Sequence, residues 1–306
     1  MRIIFFGTPE FAVASLRAVA ESRHEVAAVV AQPDQPAGRG MKILRPAVAE
    51  EAIRRHITLL QPGKIRTPEF LESIRAMRPD LGVVVAYGRI LPDALLAVPP
   101  YGFVNVHGSL LPRYRGAAPI QRAIENGERE TGITIMRVDS ELDHGPILRS
   151  VSTSIGPDER ASELAERLAL IGAATLVEVI DALDRSDAKD VRQNHLLATH
   201  AAKIEKHEGV VDWGADADSI YAKFRAFFPW PGLTTTLHGE PLKLMDVRPA
   251  SGAGSPGETL AVAPELIVAA GRDALRIVSI QRAGKSPVDG ATFARSSGLV
   301  KGERLG

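Results

Sequence analysis

The sequence has no cysteine, which removes disulfides, thiolate nucleophiles, iron–sulfur clusters and cysteine-ligated zinc from consideration. It also lacks excess charge. Its 37 Lys+Arg stand against 37 Asp+Glu, so no net field announces a nucleic acid or a membrane, and any polyanion site must be a local patch. Long hydrophobic runs are missing: nothing approaches the roughly 20 apolar residues of a membrane span, and the opening run is too short for a signal peptide. A cytoplasmic protein is the expectation. The dinucleotide fingerprint is absent as well, because Gly7 is followed by Thr8, Pro9, Glu10 and Phe11 instead of the further glycines that let a pyrophosphate approach the backbone. No P-loop occurs, so neither NAD nor a nucleoside triphosphate is expected. No metal is expected either, since His107 and His144 have no partner at ligand spacing.

What is present is a chain of 306 residues, 45% hydrophobic, long enough for a large core and better suited to two domains than one. Strand-like and helical periodicities alternate from the start: Arg2 to Phe6, then a helix to Ala20, His24 to Ala31, helices at Ala47 to Arg55 and Pro68 to Met77, and Leu81 to Ala86. Strands at Gly102 to His107, Thr131 to Val138 and Ile147 to Ile155 follow, with a helix over Ile120 to Asn126 and a long one over Glu163 to Leu183. This alternation predicts an α/β fold with a Rossmann-like, doubly wound parallel sheet. The polar stretch near Arg185 to Asn194 reads as a linker. Beyond Glu205 short strands separated by Gly, Pro and Ser predict a small OB-like β-barrel. The domains are therefore placed at 1–189 and 205–306, joined by 190–204.

The segment richest in chemistry follows the strand ending at His107. Side chains alternate along a strand, so Asn105 and His107 share one face, about 7 Å apart. Asp143 follows the next strand and, in a parallel sheet, lies at the same edge. An amide donor, an imidazole and a carboxylate suit acyl transfer to an amine. Asn105 stabilises the oxyanion, His107 takes the proton of the attacking amine, and Asp143 orients the ring and stabilises the imidazolium. Each residue also has a plainer role: a packed histidine, a turn-forming asparagine, a loop-shaping aspartate.

The stretch Asn105-Val-His107-Gly-Ser109-Leu110-Leu111-Pro112, with its Tyr114-Arg115-Gly116 turn, resembles the signature of the folate-dependent formyltransferases. The resemblance implies that Asn105, His107 and Asp143 are the catalytic set and that 10-formyltetrahydrofolate is the formyl donor. It further implies that Ser109, Leu110, Leu111 and Pro112 line the folate site and that the backbone around Ala86, Tyr87, Gly88, Ile90 and Leu91 holds the pterin. The opening Ile4 to Phe11, the loop Gln32 to Gly40, Gly116 to Gln121, Lys203 to Trp213 and Arg225 to Pro231 resemble the branch of that family acting on methionyl initiator tRNA. From Gln32 to Arg45 the loop carries Arg39, Lys42 and Arg45 against a single acid, Asp34, and the resemblance implies contact with the acceptor end of tRNA. A soluble monomer is expected.

Two features depart from the family pattern. From Lys203 onward there are 13 basic and 12 acidic residues, a weak charge for an RNA-binding domain. Pro146 also stands where family members often carry a second acid. The alternatives are a formyltransferase acting on an amino sugar nucleotide, and a noncatalytic RNA-binding module.

Overall fold

Ile3 to Phe6 are all fully buried, and the strand they form lies inside the first of two compact units. The computed structural model describes residues 1–37 and 42–306. Unit one comprises Met1–Pro119, Glu130–Ser154 and Ala165–Ala201; unit two comprises Ile120–Arg129, Ile155–Leu164 and Ala202–Gly306. Among the described residues, no helix is long and apolar enough to cross a membrane.

In chain order the first elements are β1 (Arg2–Gly7), α1 (Val13–Ala20), β2 (Glu25–Val30), the antiparallel pair β3 (Gln35–Ala37) and β4 (Lys42–Leu44), α2 (Ala47–Arg54), β5 (Leu59–Leu60) and α3 (Pro68–Ala76). Then come β6 (Leu81–Val85), α4 (Asp93–Leu96), β7 (Phe103–His107), β8 (Arg115–Gly116), α5 (Pro119–Glu125), β9 (Glu130–Arg137), β10 (Ile147–Ser154), α6 (Ala161–Asp184) and β11 (His200–Ala201). Seven strands make one sheet in the order β10-β9-β7-β6-β1-β2-β5. Chain order reverses between β1, which leads out to β2 and β5, and β6, which leads out to β7. Such a switch point is where open α/β sheets bind ligands, beyond the C-terminal ends of the strands. Gly7 closes β1 there, and Ala86, Tyr87 and Gly88 follow β6. Close packing of the core beneath requires Gly82, where a Cβ would sit 2.2 Å from the Phe103 ring. Phe6 meets Tyr87 and Phe103 edge-on, with ring centres 5.2 and 5.6 Å apart, the geometry aromatic quadrupoles favour.

The sheet is parallel from β7 through β5, but β9 and β10 run antiparallel to their neighbours. The wholly parallel sheet expected from the alternation is thereby corrected. The chain re-enters the sheet from the end at which β7 leaves it, with His107 opposite Thr134 and Val104 opposite Arg137. Side-chain alternation along a strand is the same for either direction, so the direction is set by pairing between residues distant in the chain.

Unit two contains α7 (Ala217–Phe227), β12 (Leu233–Leu237), β13 (Glu240–Ala250), β14 (Thr259–Ala261), β15 (Leu266–Ala269), β16 (Ala274–Arg282), β17 (Val288–Asp289) and α8 (Gly290–Ser297). Its antiparallel sheet has the order β12-β13-β16-β15-β14, with β17 added to β16. Register shifts at Leu244, Asp246 and Val247 mark irregularity in β13, the kind of local irregularity that bends a strand. Among the described residues β12 and β14 do not pair with each other, so the sheet is an open half-barrel where the sequence suggests a small OB-like β-barrel. Arg160 lies 4.1 Å over the Phe228 ring and 5.3 Å over that of Phe224, a cation–π arrangement on the flank of α7.

Candidate active site

Strand β7 supplies two of the three side chains singled out in the sequence. Val104 and Val106 point into the core, so strand alternation turns Asn105 and His107 together to the other face. Asn105 is half-buried and His107 is 6% exposed. The third side chain arrives by an unexpected route. Because β9 runs antiparallel to β7, its end at Arg137 lies beside Val104, away from His107. Asp143 is carried back over the strand face by the following loop, which is closed by the hydrogen bond from Arg137 N to Pro146 O, 2.8 Å. There Asn105 Nδ2 donates to Asp143 Oδ1 at 3.4 Å, and His107 Nδ1 stands 3.6 Å from Asp143 Oδ2. Gly116 N donates to the same Oδ2 at 2.8 Å. The amide, imidazole and carboxylate thus converge, within unit one alone.

The imidazole has a defined orientation. His107 Nε2 is 2.9 Å from the Tyr114 carbonyl oxygen, which only accepts, so Nε2 carries a proton. In the neutral ring Nδ1 is then the basic nitrogen, and it faces the Asp143 carboxylate. The carbonyl of Tyr114, a residue in the left-handed region with φ 60°, therefore sets the tautomer, while Asp143 stands ready to stabilise the ring once it is charged.

Loop 108–114 is tied down from inside. Ser109 is fully buried, and its Oγ donates to Arg113 O at 2.7 Å. Thr134 Oγ1 donates to Ser109 O at 2.7 Å and accepts from Leu111 N at 3.1 Å. Leu111 is buried, while Leu110 and Pro112 are partly exposed. At the switch point Ala86, Gly88 and Ile90 are exposed, whereas Tyr87 and Leu91 belong to the core. Thr8 Oγ1 and Gln32 Nε2 each donate to Tyr87 O at 3.0 Å, so the ends of β1, β2 and β6 are joined. Burial pushes the Tyr87 phenol above its ordinary pKa, against the opposing charge of Arg89.

Of the basic residues near the start of the chain, Arg39 lies outside the described residues. Lys42 belongs to β4, and Arg45 is exposed with its Nε 3.5 Å from Asp34 Oδ2.

Sequence reasoning gave no role to residues 193–201, yet they pack on this site. Gln193 Nε2 donates to the carbonyls of Asp143 and Gly145 at 2.9 and 2.8 Å. Arg115 donates through Nη2 to Gln193 Oε1 at 2.7 Å and to His195 Nδ1 at 2.8 Å. The His144 and His195 rings stack, with centres 4.1 Å apart and planes inclined by 7°. Thr199 Oγ1 accepts from Tyr114 N at 2.8 Å, and β11 pairs with β8. Polar composition hid this role, because a buried amide and a solvated linker read alike in sequence.

The chain is similar to known proteins over its whole length. A family model described as formyl transferase matches residues 1–180, and one described as formyl transferase, C-terminal domain, matches residues 203–298. The methionyl-tRNA formyltransferase of Methylococcus capsulatus is 47% identical, the alignment covering 100% of this chain and 100% of that one. The protein of the same name from Geobacter metallireducens is 45% identical over 100% of this chain and 99% of its own. Among solved structures, an N-formyltransferase from Helicobacter canadensis, in complex with folinic acid and dTDP-3-aminofucose, aligns with TM-score 0.67 at 16% identity, over 90% of this chain and 98% of that one. HypX from Aquifex aeolicus, in complex with tetrahydrofolic acid, aligns with TM-score 0.63 at 20% identity, over 96% of this chain but 47% of its own. This chain thus spans about half the length of HypX, and at such identities the likeness is one of fold.

Proposed function

The chain belongs to the formyl transferase family, among the methionyl-tRNA formyltransferases, and from that premise we propose that Asn105, His107 and Asp143 are its reaction centre. The reaction moves the formyl group of 10-formyltetrahydrofolate onto the α-amino group of methionyl initiator tRNA, for translation initiation. The observation that carries the assignment is the convergence of the Asn105 amide and the His107 ring on one carboxylate, at 3.4 and 3.6 Å.

The methionine nitrogen forms a bond to the formyl carbon, and the bond from that carbon to the folate nitrogen then breaks. In between, the carbonyl oxygen carries negative charge, which an N–H of Asn105 stabilises. The amine proton passes to Nδ1 of His107, and the imidazolium is balanced by Asp143 until the proton leaves with the folate nitrogen. No covalent enzyme intermediate is needed, because an α-amino group, which ordinarily titrates at about 7.7 to 8.0, keeps a substantial nucleophilic fraction near neutral pH.

Folate lies beyond the ends of β1 and β6, with Ala86, Tyr87, Gly88, Ile90 and Leu91 on one side and Leu110, Leu111 and Pro112 on the other. Ser109 fixes that second segment from beneath. Exposed Ala86, Gly88 and Ile90 leave backbone accessible at the switch point, which supports this reading. Arg39, Lys42 and Arg45 contact the acceptor end of tRNA. The half-barrel of unit two acts as an OB-like module that helps hold tRNA, and the enzyme works as a cytoplasmic monomer.

The test is transfer of labelled formyl from 10-formyltetrahydrofolate to charged initiator tRNA, beside a UDP-amino-sugar acceptor. Label is expected on tRNA alone. His107→Ala is expected to lower kcat by about 10²- to 10⁴-fold with folate affinity unchanged. Label on the sugar overturns the acceptor; a change confined to the folate dissociation constant overturns the role of His107.

A further inference from the structure

We propose that Gln193 is a positioning residue for the transfer reaction, holding the 143–145 turn so that the Asp143 carboxylate faces Asn105, His107 and the Gly116 N–H. The proposal rests on the reaction centre assigned above. Gln193 is 5% exposed, and the hydrogen-bonding capacity of its amide is directed to this task. Nε2 donates to Asp143 O at 2.9 Å and Gly145 O at 2.8 Å. Oε1 accepts from Arg115 Nη2 at 2.7 Å and Nε at 3.2 Å. A guanidinium only donates, so Arg115 fixes which end of the amide faces the turn.

That turn needs holding. Asp143 has φ 50°, a left-handed conformation that L residues other than Asn and Asp seldom adopt. Gly145 lies so close to its neighbours that a Cβ would be 2.1 Å from Arg137 O. The carboxylate is held through Gly116 N and Asn105 Nδ2, but the main chain beneath it is held by Gln193. Arg115 and Gly116 therefore grip Asp143 twice, once directly and once through Gln193. Loss of the Nε2 donor leaves the carboxylate in place chemically but broadens its positions, and a misplaced group lowers the rate of the chemical step more than it lowers binding.

The experiment uses full-length Gln193→Met and Gln193→Glu, each alone and combined with Asp143→Asn. It measures kcat and KM for 10-formyltetrahydrofolate and charged initiator tRNA, with a thermal unfolding curve for every variant. Each single Gln193 substitution is expected to lower kcat about 10- to 100-fold with KM values within about twofold. On the Asp143→Asn background the further loss is expected to be under about threefold, because a residue that acts through Asp143 then has nothing to position. Unchanged kcat in the Gln193 variants beside a crippled Asp143→Asn overturns this proposal alone, as do losses that multiply in the double variants. Wild-type kcat in Asp143→Asn overturns the reaction centre, and this proposal with it. Gln193→Glu keeps the shape and the Arg115 contact, so the readout survives if Gln193→Met does not fold.

Discussion

Gly116 has φ 121°, a conformation that L side chains rarely adopt, and its N–H holds the Asp143 carboxylate at 2.8 Å. A Cβ there would lie 2.6 Å from the carbonyl oxygen of Ala201, so both the backbone angle and the space require glycine. Gly116→Ala is expected to lose about 1–3 kcal/mol of stability through strain, and to reduce kcat by at least about tenfold as β8 moves off β11. Denaturant unfolding and steady-state kinetics check both; a variant with wild-type kcat would detach the Gly116 contact from the chemistry. At this scale the sequence placed Asn105, His107 and Asp143 together, but for Asp143 by the wrong route. The expected parallel strand would have ended beside His107. The actual strand is antiparallel, and a folded-back loop makes the contact. The tautomer of His107 was not legible at all, since it depends on where the Tyr114 carbonyl points.

Helices α1 and α2 are joined by a buried carboxylate. Glu51 on α2 is 4% exposed and accepts from Arg17 of α1 at 3.1 Å, as well as from Arg54 and Arg55. Burial favours its protonated form, but hydrogen bonds from Arg17, Arg54 and Arg55 outweigh that and hold its pKa at about 2, below the ordinary 4.5. A carboxylate with a depressed folded pKa contributes stability that is complete above the unfolded value and disappears as pH falls from 4.5 toward about 2. Because Arg17 and Arg54 are half-exposed and screened, the net contribution is about 1–2 kcal/mol. Glu51→Gln is therefore expected to be less stable than the parent at pH 7 and to converge with it on acidification, as followed by urea unfolding from pH 7 to 3. A constant gap across that range would show that the helices are not joined by this charge. The helices themselves were legible from their periodicity. Their junction was not, because an acid with neighbouring arginines on a surface helix reads as solvated charge.

Across the whole molecule the even balance of charge limits how tRNA is held. With 13 basic and 12 acidic residues from Lys203 onward, that segment supplies little general attraction, so the proposed tRNA contact leaves phosphate binding to a few side chains. The logarithmic salt dependence of kcat/KM for tRNA is expected to be shallow, about −2 to −3, and Arg39→Ala or Arg45→Ala to reduce its magnitude by about 1 each. A slope unchanged in both variants would remove these residues from the interface. Arg45 already lies within 3.5 Å of Asp34, so removing that acid with Asp34→Asn is a useful control for the intrinsic charge of the region.

Whatever rests on local pattern was written in the amino-acid order. That covers the alternation of strands and helices, the shared face of Asn105 and His107, the absence of a dinucleotide loop, and the motif that resembles the formyltransferases. These depend on residues a few positions apart, whose side-chain periodicity is fixed by backbone geometry. Long-range packing settled the direction of β9 and β10, the opening of the half-barrel, the burial of Gln193 and the placing of Asp143 over β7. Each depends on contacts between residues distant in the chain, such as Gln193 with the carbonyl of Asp143, 50 positions away, where the hydrogen bonds available to a buried group are settled only by what else is packed around it.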